Sequence, residues 1–208
     1  MKALFATSLA ATALLAGCAQ EPAEVPLDGA WVLDGDRSQV SFVTVKASQV
    51  AEVHHFGEVS GSVSADGGAS VAIDLASVET NIDIRNERMR DILFQVAEFP
   101  QAEVTAALDP ADFTGLSVGD ALTTSVDLTV NLHGSSATMP ADLLVTRIGD
   151  DLVKVETAQP LVVAAASFGL AEGVAELQSV ANLDSITTQV PVSVSLVFAR
   201  DAADETAD

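Results

Sequence analysis

The chain has 208 residues and a formal charge of −21, with 30 acidic residues against 9 lysines and arginines, yet it is 49% hydrophobic. That balance excludes a phosphate-tracking nucleic-acid binder, which needs a positive surface, and disfavours a body lying flat on an anionic membrane. The apolar content is sufficient for one domain with a sizeable core.

Residues 1–17 do not read as folded structure. Lys2 is followed by an apolar run, Ala3 to Ala16, that is too short to span a bilayer comfortably. The run ends in Leu15-Ala16-Gly17-Cys18, which resembles the lipobox of bacterial lipoproteins. The resemblance implies a cleaved signal peptide and acylation of Cys18, so that two or more acyl chains hold the protein at a membrane. Ala19 after the cysteine points to the periplasmic face of the outer membrane. The alternative is an ordinary secretory signal with an incidental cysteine. Cys18 is the sole cysteine, so no intramolecular disulfide forms. Residues 18–28, with Pro22 and Pro26, read as a tether. Residues 29–200 read as one domain, and 201–208 as an acidic tail.

Within the domain, Trp31 to Asp34 and Ser38 to Lys46 are rich in β-branched and aromatic residues and read as strands. His54-His55 reads as a polar strand end or loop. Val59 to Val63 alternates, Asp66-Gly67-Gly68 signals a hairpin, and Val71, Ile73 and Leu75 carry the alternation onward. Thr80 to Pro100 departs from period two. Met89, Ile92, Leu93 and Val96 recur at helical spacing, Asp83 stands where a cap is expected, and Phe99-Pro100 is expected to stop the helix. Arg85, Arg88 and Arg90 lie on that helix, either at a ligand's polar head or as a solvated face paired with Glu87 and Asp91.

Period two resumes with Val104, Ala106 and Leu108, and is clearest at Val126, Leu128, Val130 and Leu132. Leu143 to Ile148 and Leu152 to Glu156 flank a Gly149-Asp150-Asp151 turn. Leu161 to Ala165 reads as a strand, and Leu170, Val174, Leu177 and Val180 or Ala181 as a second helix weakened by Gly173. Val190 to Phe198 closes the chain, with Pro191 placing a strand start or an edge there. The count is eight to ten strands and one or two short helices, mainly β. Such strands close into a barrel or stack as a sandwich.

Several stretches resemble the YceI-like family of periplasmic lipid-binding proteins. They are Trp31 to Asp34 with Ser38 to Phe42; Ser77 to Thr80 with Arg85, Met89, Phe94 and Phe99-Pro100; Leu128 to Gly134, ending in His133-Gly134; and Phe168-Gly169-Leu170. The resemblance implies an antiparallel, lipocalin-like barrel of about eight strands that holds a polyisoprenoid chain, such as a quinone or polyprenyl lipid, without catalysis. It makes Phe42, Arg85, Met89, Phe94, Phe99, Leu128, His133 and Phe168 the candidate ligand contacts. Arg37 and Asn86 depart from the family pattern, which often has His and Asp there.

No Gly-x-Ser-x-Gly elbow, His-Glu-x-x-His or phosphate-binding glycine loop is present, so no catalytic residue is assigned. Adjacent His54 and His55 on a strand face opposite ways and do not share a metal, and no metal or cofactor is expected. His133 reads as a strand-end residue or a head-group contact. Two other functions compete with lipid binding: an envelope interaction module whose barrel is filled by its own side chains, and more weakly a lipid hydrolase. Gly61, Ala106 and Ala164-Ala165-Ala166 are small enough to leave room for a cavity.

Overall fold

A computed structural model describes residues 27–202. Trp31–Leu33 (β1) and Gln39–Lys46 (β2) are two halves of one stave, bent at the 3-10 turn Gly35–Arg37. Val50–Phe56 (β3) and Val59–Val63 (β4) form a second bent stave. Gly68–Asp74 (β5) and Val78–Glu79 (β6) form a third, broken at the 3-10 turn Leu75–Ser77. Asp83–Arg88 (α1) then runs into π-helical turns over Met89–Phe94.

Gln101–Ala107 (β7), Ala121–Leu132 (β8) and Ser135–Gly149 (β9) are unbroken. Leu152–Thr157 (β10) and Leu161–Ala164 (β11) make the seventh stave. After a 3-10 turn at Ala165–Phe168, Ala171–Val180 (α2) leads to the last strand, Gln189–Arg200 (β12).

The sheet closes because β12 is paired along both edges. β10 and β11 lie on one side of it, and β1 and β2 on the other. Every pairing is antiparallel, and the staves follow chain order, so the result is a closed eight-stave up-and-down barrel. Closure joins the first stave to the last. Pro191 sits near the start of β12 opposite Val162, where a missing ladder donor costs least.

Small polar groups hold the bends. Ser38 donates from its hydroxyl to the Asp34 carbonyl (2.7 Å) and accepts from the Val197 amide (2.9 Å), tying the first bend to β12. Gly61 is small for a different reason than leaving a cavity. A Cβ there would lie 2.4 Å from the Ser70 carbonyl oxygen, so β4 and β5 approach too closely for a side chain. At the lower end, Arg147 is buried and donates to the carbonyls of Leu116, Gly149 and Asp150.

Four expectations change. His54 and His55 lie near the end of a seven-residue strand, β3, not in a loop, and His54 is buried. The inward residues of β3, Glu52, His54 and Phe56, are mostly polar, while Val53 faces solvent, so the usual hydropathy phase is inverted. Asp83 does not cap α1: Ile82 holds the N-cap position, and no side-chain cap bond forms. The helix ends at Gln95, in the left-handed region with φ 49°, well before Phe99-Pro100. The π-helical turns rotate Phe94 onto the buried face beside Met89 and Leu93, whereas Ile92 is only half-buried. Finally, β9 begins at Ser135, eight residues before the expected Leu143, because its first half alternates small polar residues around Pro140.

The second helix forms as the spacing predicts, with Leu170 and Val174 buried. Its weak point, Gly173, is a contact: a Cβ there would meet the Ile92 carbonyl oxygen and Leu93 Cα, both at 3.2 Å. α2 therefore lies directly on the π-helical turns, and together they roof the upper end of the barrel.

Candidate functional site: an apolar tunnel with a polar upper wall

Inward alternation leaves the barrel hollow. A middle chamber of about 220 Å³ is lined by aliphatic and aromatic side chains, with Thr105 and Thr157 as its only polar ones. It meets an upper chamber of about 400 Å³ at Phe56, Leu132, Val163 and Val192. It meets a lower chamber of about 150 Å³ at Val63, Leu108, Leu143, Val155 and Phe198. The shared walls set the three chambers in series, a mainly apolar row along the barrel, here termed the tunnel. β12 measures it, since Val190, Val192, Val194, Leu196 and Phe198 line successive levels. At ~3.3 Å per strand residue that path is roughly 26 Å long.

Many inward residues, among them Val104, Val130, Val192 and Val194, are only half-buried. In a barrel filled by its own side chains these positions would be fully buried. The middle chamber owes its width to small residues on adjoining strands, Ala69 on β5 with Ala102 and Ala106 on β7.

The upper chamber has one polar wall. β2 contributes Thr44 and Lys46, β3 contributes Glu52 and His54, and α1 contributes Arg85 and Arg88. Glu52 is the hub, 2.7 Å from the Lys46 ammonium and 2.8 Å from the Arg85 guanidinium. The hydrogen bond from Lys46 holds its carboxyl below the usual range against the opposing effect of burial, and Arg85 adds to the lowering. His54 is 2% exposed, with Nε2 2.9 Å from the Thr44 hydroxyl and its ring centroid 5.3 Å from that of Phe42, the planes tilted by 58°. Burial, then the nearby Arg85 charge, keeps the imidazole pKa below its ordinary value.

A buried polar loop places Arg85. The Asn86 side-chain oxygen accepts from the Thr80 amide (2.9 Å) and hydroxyl, while its nitrogen donates to Glu79 at 3.1 Å. Arg85 donates back to the Thr80 carbonyl. Asn86 does this as an amide because it must donate on one side and accept on the other.

Of the residues singled out from the sequence, Phe42, Arg85, Met89 and Phe94 line the upper chamber and Leu128 the middle one. Phe99 and His133 do not meet the tunnel. Their rings stack at 4.4 Å beside a groove on the outer wall, with His133 in the turn between β8 and β9 at φ 50°. Phe168 is fully buried and lines none of the chambers. Cys18 lies outside the described residues. Sequence reasoning did not single out Lys46, Glu52 or His54 as a cluster. The available signal was the shared phase of Glu52, His54 and Phe56, the last of which is plainly a core residue.

The sequence pattern of the YceI-like domain matches residues 31–198. Among solved structures, a polyisoprenoid-binding domain from Saccharophagus degradans, implicated in plant cell wall breakdown, is 38% identical. The match has a TM-score of 0.80 and covers 82% of this chain and 98% of that one. BcnA of Burkholderia cenocepacia shares the fold at 20% identity and TM-score 0.60, covering 79% and 98%. The YCEI protein of Campylobacter jejuni does so at 15% and 0.51, covering 71% and 84%. A comparison with curated proteins returns no match. With the closed barrel, the interior tunnel and a domain match over nearly all of the described residues, the chain belongs to the YceI-like family.

Proposed function

We propose that the protein holds one polyisoprenoid chain, or a similar long apolar chain with a polar head, inside its barrel. It acts as a non-catalytic carrier or buffer in the bacterial envelope, attached to the outer membrane through acylated Cys18. One observation carries this reading: a row of chambers spanning roughly 26 Å of β12, whose middle member offers a guest no polar side chain but two threonines. Thr157 is already engaged, accepting from the Val194 amide at 3.3 Å.

Such a wall selects for chain rather than chemistry. Burying each methylene gains about 0.8 kcal/mol before the cost of association. A branched isoprenoid fits a passage walled by staggered valines and leucines without asking for a hydrogen bond. The 38% identical domain described as polyisoprenoid-binding supports the same reading.

Titration of lipid-stripped protein with prenyl alcohols of increasing length tests it. Affinity should climb several-fold with each added isoprene unit and level off once the tunnel is full. No binding at any length, or affinity independent of length, would refute it.

A further inference from the structure

The upper chamber leaves two buried polar nitrogens unused. Among the described residues, His54 Nδ1 and Arg85 Nε meet no hydrogen-bond partner. A buried polar group without a partner costs stability, so each is either a penalty the fold carries or a position kept for a guest; Nδ1 is a donor in the tautomer whose Nε2 accepts from the Thr44 hydroxyl. Both side chains line the same chamber. Met89, Leu93 and Phe94, which also line this chamber, offer no acceptor oxygen from their side chains.

Charge narrows the guest further. In a protein of charge −21, the ionised side chains lining this chamber are Lys46, Arg85 and Arg88 against Glu52 alone. Among the described residues Arg88 makes no ion pair, while Glu52 is shared between the other two cations. An acidic protein thus presents a locally cationic wall beside unused donors, at the wide end of an otherwise apolar passage.

We infer that the wall formed by His54, Arg85 and Arg88 is a head-group subsite for an oxyanion, a phosphomonoester or a carboxylate carried on a single long apolar chain. The inference rests on the chain-binding function proposed above and adds the chemistry of the head. With Nε2 accepting from the Thr44 hydroxyl, Nδ1–H of His54 donates to one oxygen and Nε–H of Arg85 to another. Arg88 then supplies charge that Glu52 does not neutralise. These are charge-assisted bonds in a partly dry site, where they outweigh their solvent equivalents. The charged and titratable groups that act on His54 are Glu52 and His55 on its own strand, Lys46 across the hairpin, and Arg85 from the helix.

The test uses the lipid-stripped protein and three probes of comparable length: geranylgeraniol, geranylgeranyl monophosphate and palmitate. Binding is followed by calorimetry at neutral pH and two salt concentrations. At least one anionic probe should bind 10-fold or more tighter than the alcohol, and that advantage should shrink with added salt. Preference for the phosphate or for palmitate identifies the source of the oxyanion.

Arg88→Gln and His54→Phe should each erase several-fold of the preference, read as the ratio of anion to alcohol affinity within the same variant. Arg85→Lys, which keeps the charge and loses Nε, should do the same if it folds; the other two variants decide the matter if it does not. In the complex with the preferred anion, the His54 ring signals should titrate at higher pH than in the free protein. Equal binding of alcohol and anions, or a preference untouched in Arg88→Gln and His54→Phe, would overturn the subsite and leave the chain-binding function standing. Failure of all three probes to bind would overturn both.

Discussion

A hollow barrel and a filled one respond oppositely to a larger side chain at Ala106. This residue lines the middle chamber from β7 and pairs across the sheet with Ala69, also in the lining. Ala106→Phe would place a phenyl ring in the roughly 220 Å³ chamber. An aromatic side chain buries ~150–250 Å², of which the added ring places about 100 Å² against apolar walls. At ~25 cal/mol per Å² that gains about 2.5 kcal/mol, and ordering the ring takes back about 1 kcal/mol. The lipid-stripped variant should therefore be about 1–2 kcal/mol more stable.

Binding moves the other way. A ring in the passage excludes roughly four methylenes of guest chain, about 3 kcal/mol at ~0.8 kcal/mol each, or on the order of 200-fold in affinity. Urea unfolding of the stripped proteins reads the first effect, and titration with a long prenyl alcohol reads the second. If the substitution instead destabilises the stripped protein by the ~1–3 kcal/mol typical of overpacking, the chamber does not exist in solution, and the account of the site falls with it.

Other perturbations probe the roof and the polar wall. Gly173→Ala gains about 1 kcal/mol of helix propensity but forces a Cβ to 3.2 Å from the Ile92 carbonyl oxygen. With crowding worth ~1–3 kcal/mol, the net change in urea unfolding should be zero to 2 kcal/mol of destabilisation, and a gain of a full kcal/mol would show that α2 does not rest there. Asn86→Asp keeps the bonds from Thr80 but replaces the donor 3.1 Å from Glu79 with a carboxylate oxygen. It should cost about 1 kcal/mol at neutral pH, and Glu79→Gln should restore most of that loss; persistence of the loss in the double variant would refute the proposed clash. His54 titrates below its ordinary value of 6.5 when folded, so the unfolded chain binds the extra proton first. Its contribution is therefore whole above pH 6.5 and declines as pH falls toward the folded pKa, a slope that His54→Gln should remove from unfolding curves. Glu52, lowered mainly by the Lys46 hydrogen bond, adds a separate decline that begins below 4.5, and this should survive in the His54 variant.

The strands were legible because most of them keep one apolar phase, while their closure into a barrel rather than a sandwich followed only from the family resemblance. Val71, Ile73 and Leu75, then Leu128, Val130 and Leu132, then Val192, Val194 and Leu196 all face inward as alternation requires. The polar wall was hidden for the same reason. β3 turns Glu52 and His54 inward and Val53 outward, at 67% exposure, so a rule that sends polar residues to water reads it backwards. Gly173 misled in a related way: in isolation it weakens a helix, whereas in the fold it permits a close approach to another segment. The π-helical turns at Met89–Phe94 left no signature in a pattern scored at 3.6 residues per turn, although they decide which face Phe94 takes. His133 and Phe99 form a recognisable pair, but their stacking on the outer wall is settled by the turn between β8 and β9, which sequence spacing does not locate relative to the tunnel.

The central claim is that the tunnel carries a guest, and native mass spectrometry of the protein purified without detergent, followed by solvent extraction, tests it most directly. The expected result is a protein mass raised by one long-chain amphiphile, released on extraction and identifiable as a polyisoprenoid or a similar chain. A bare protein mass, together with failure of the stripped protein to take up any added long-chain prenyl compound, would contradict the account.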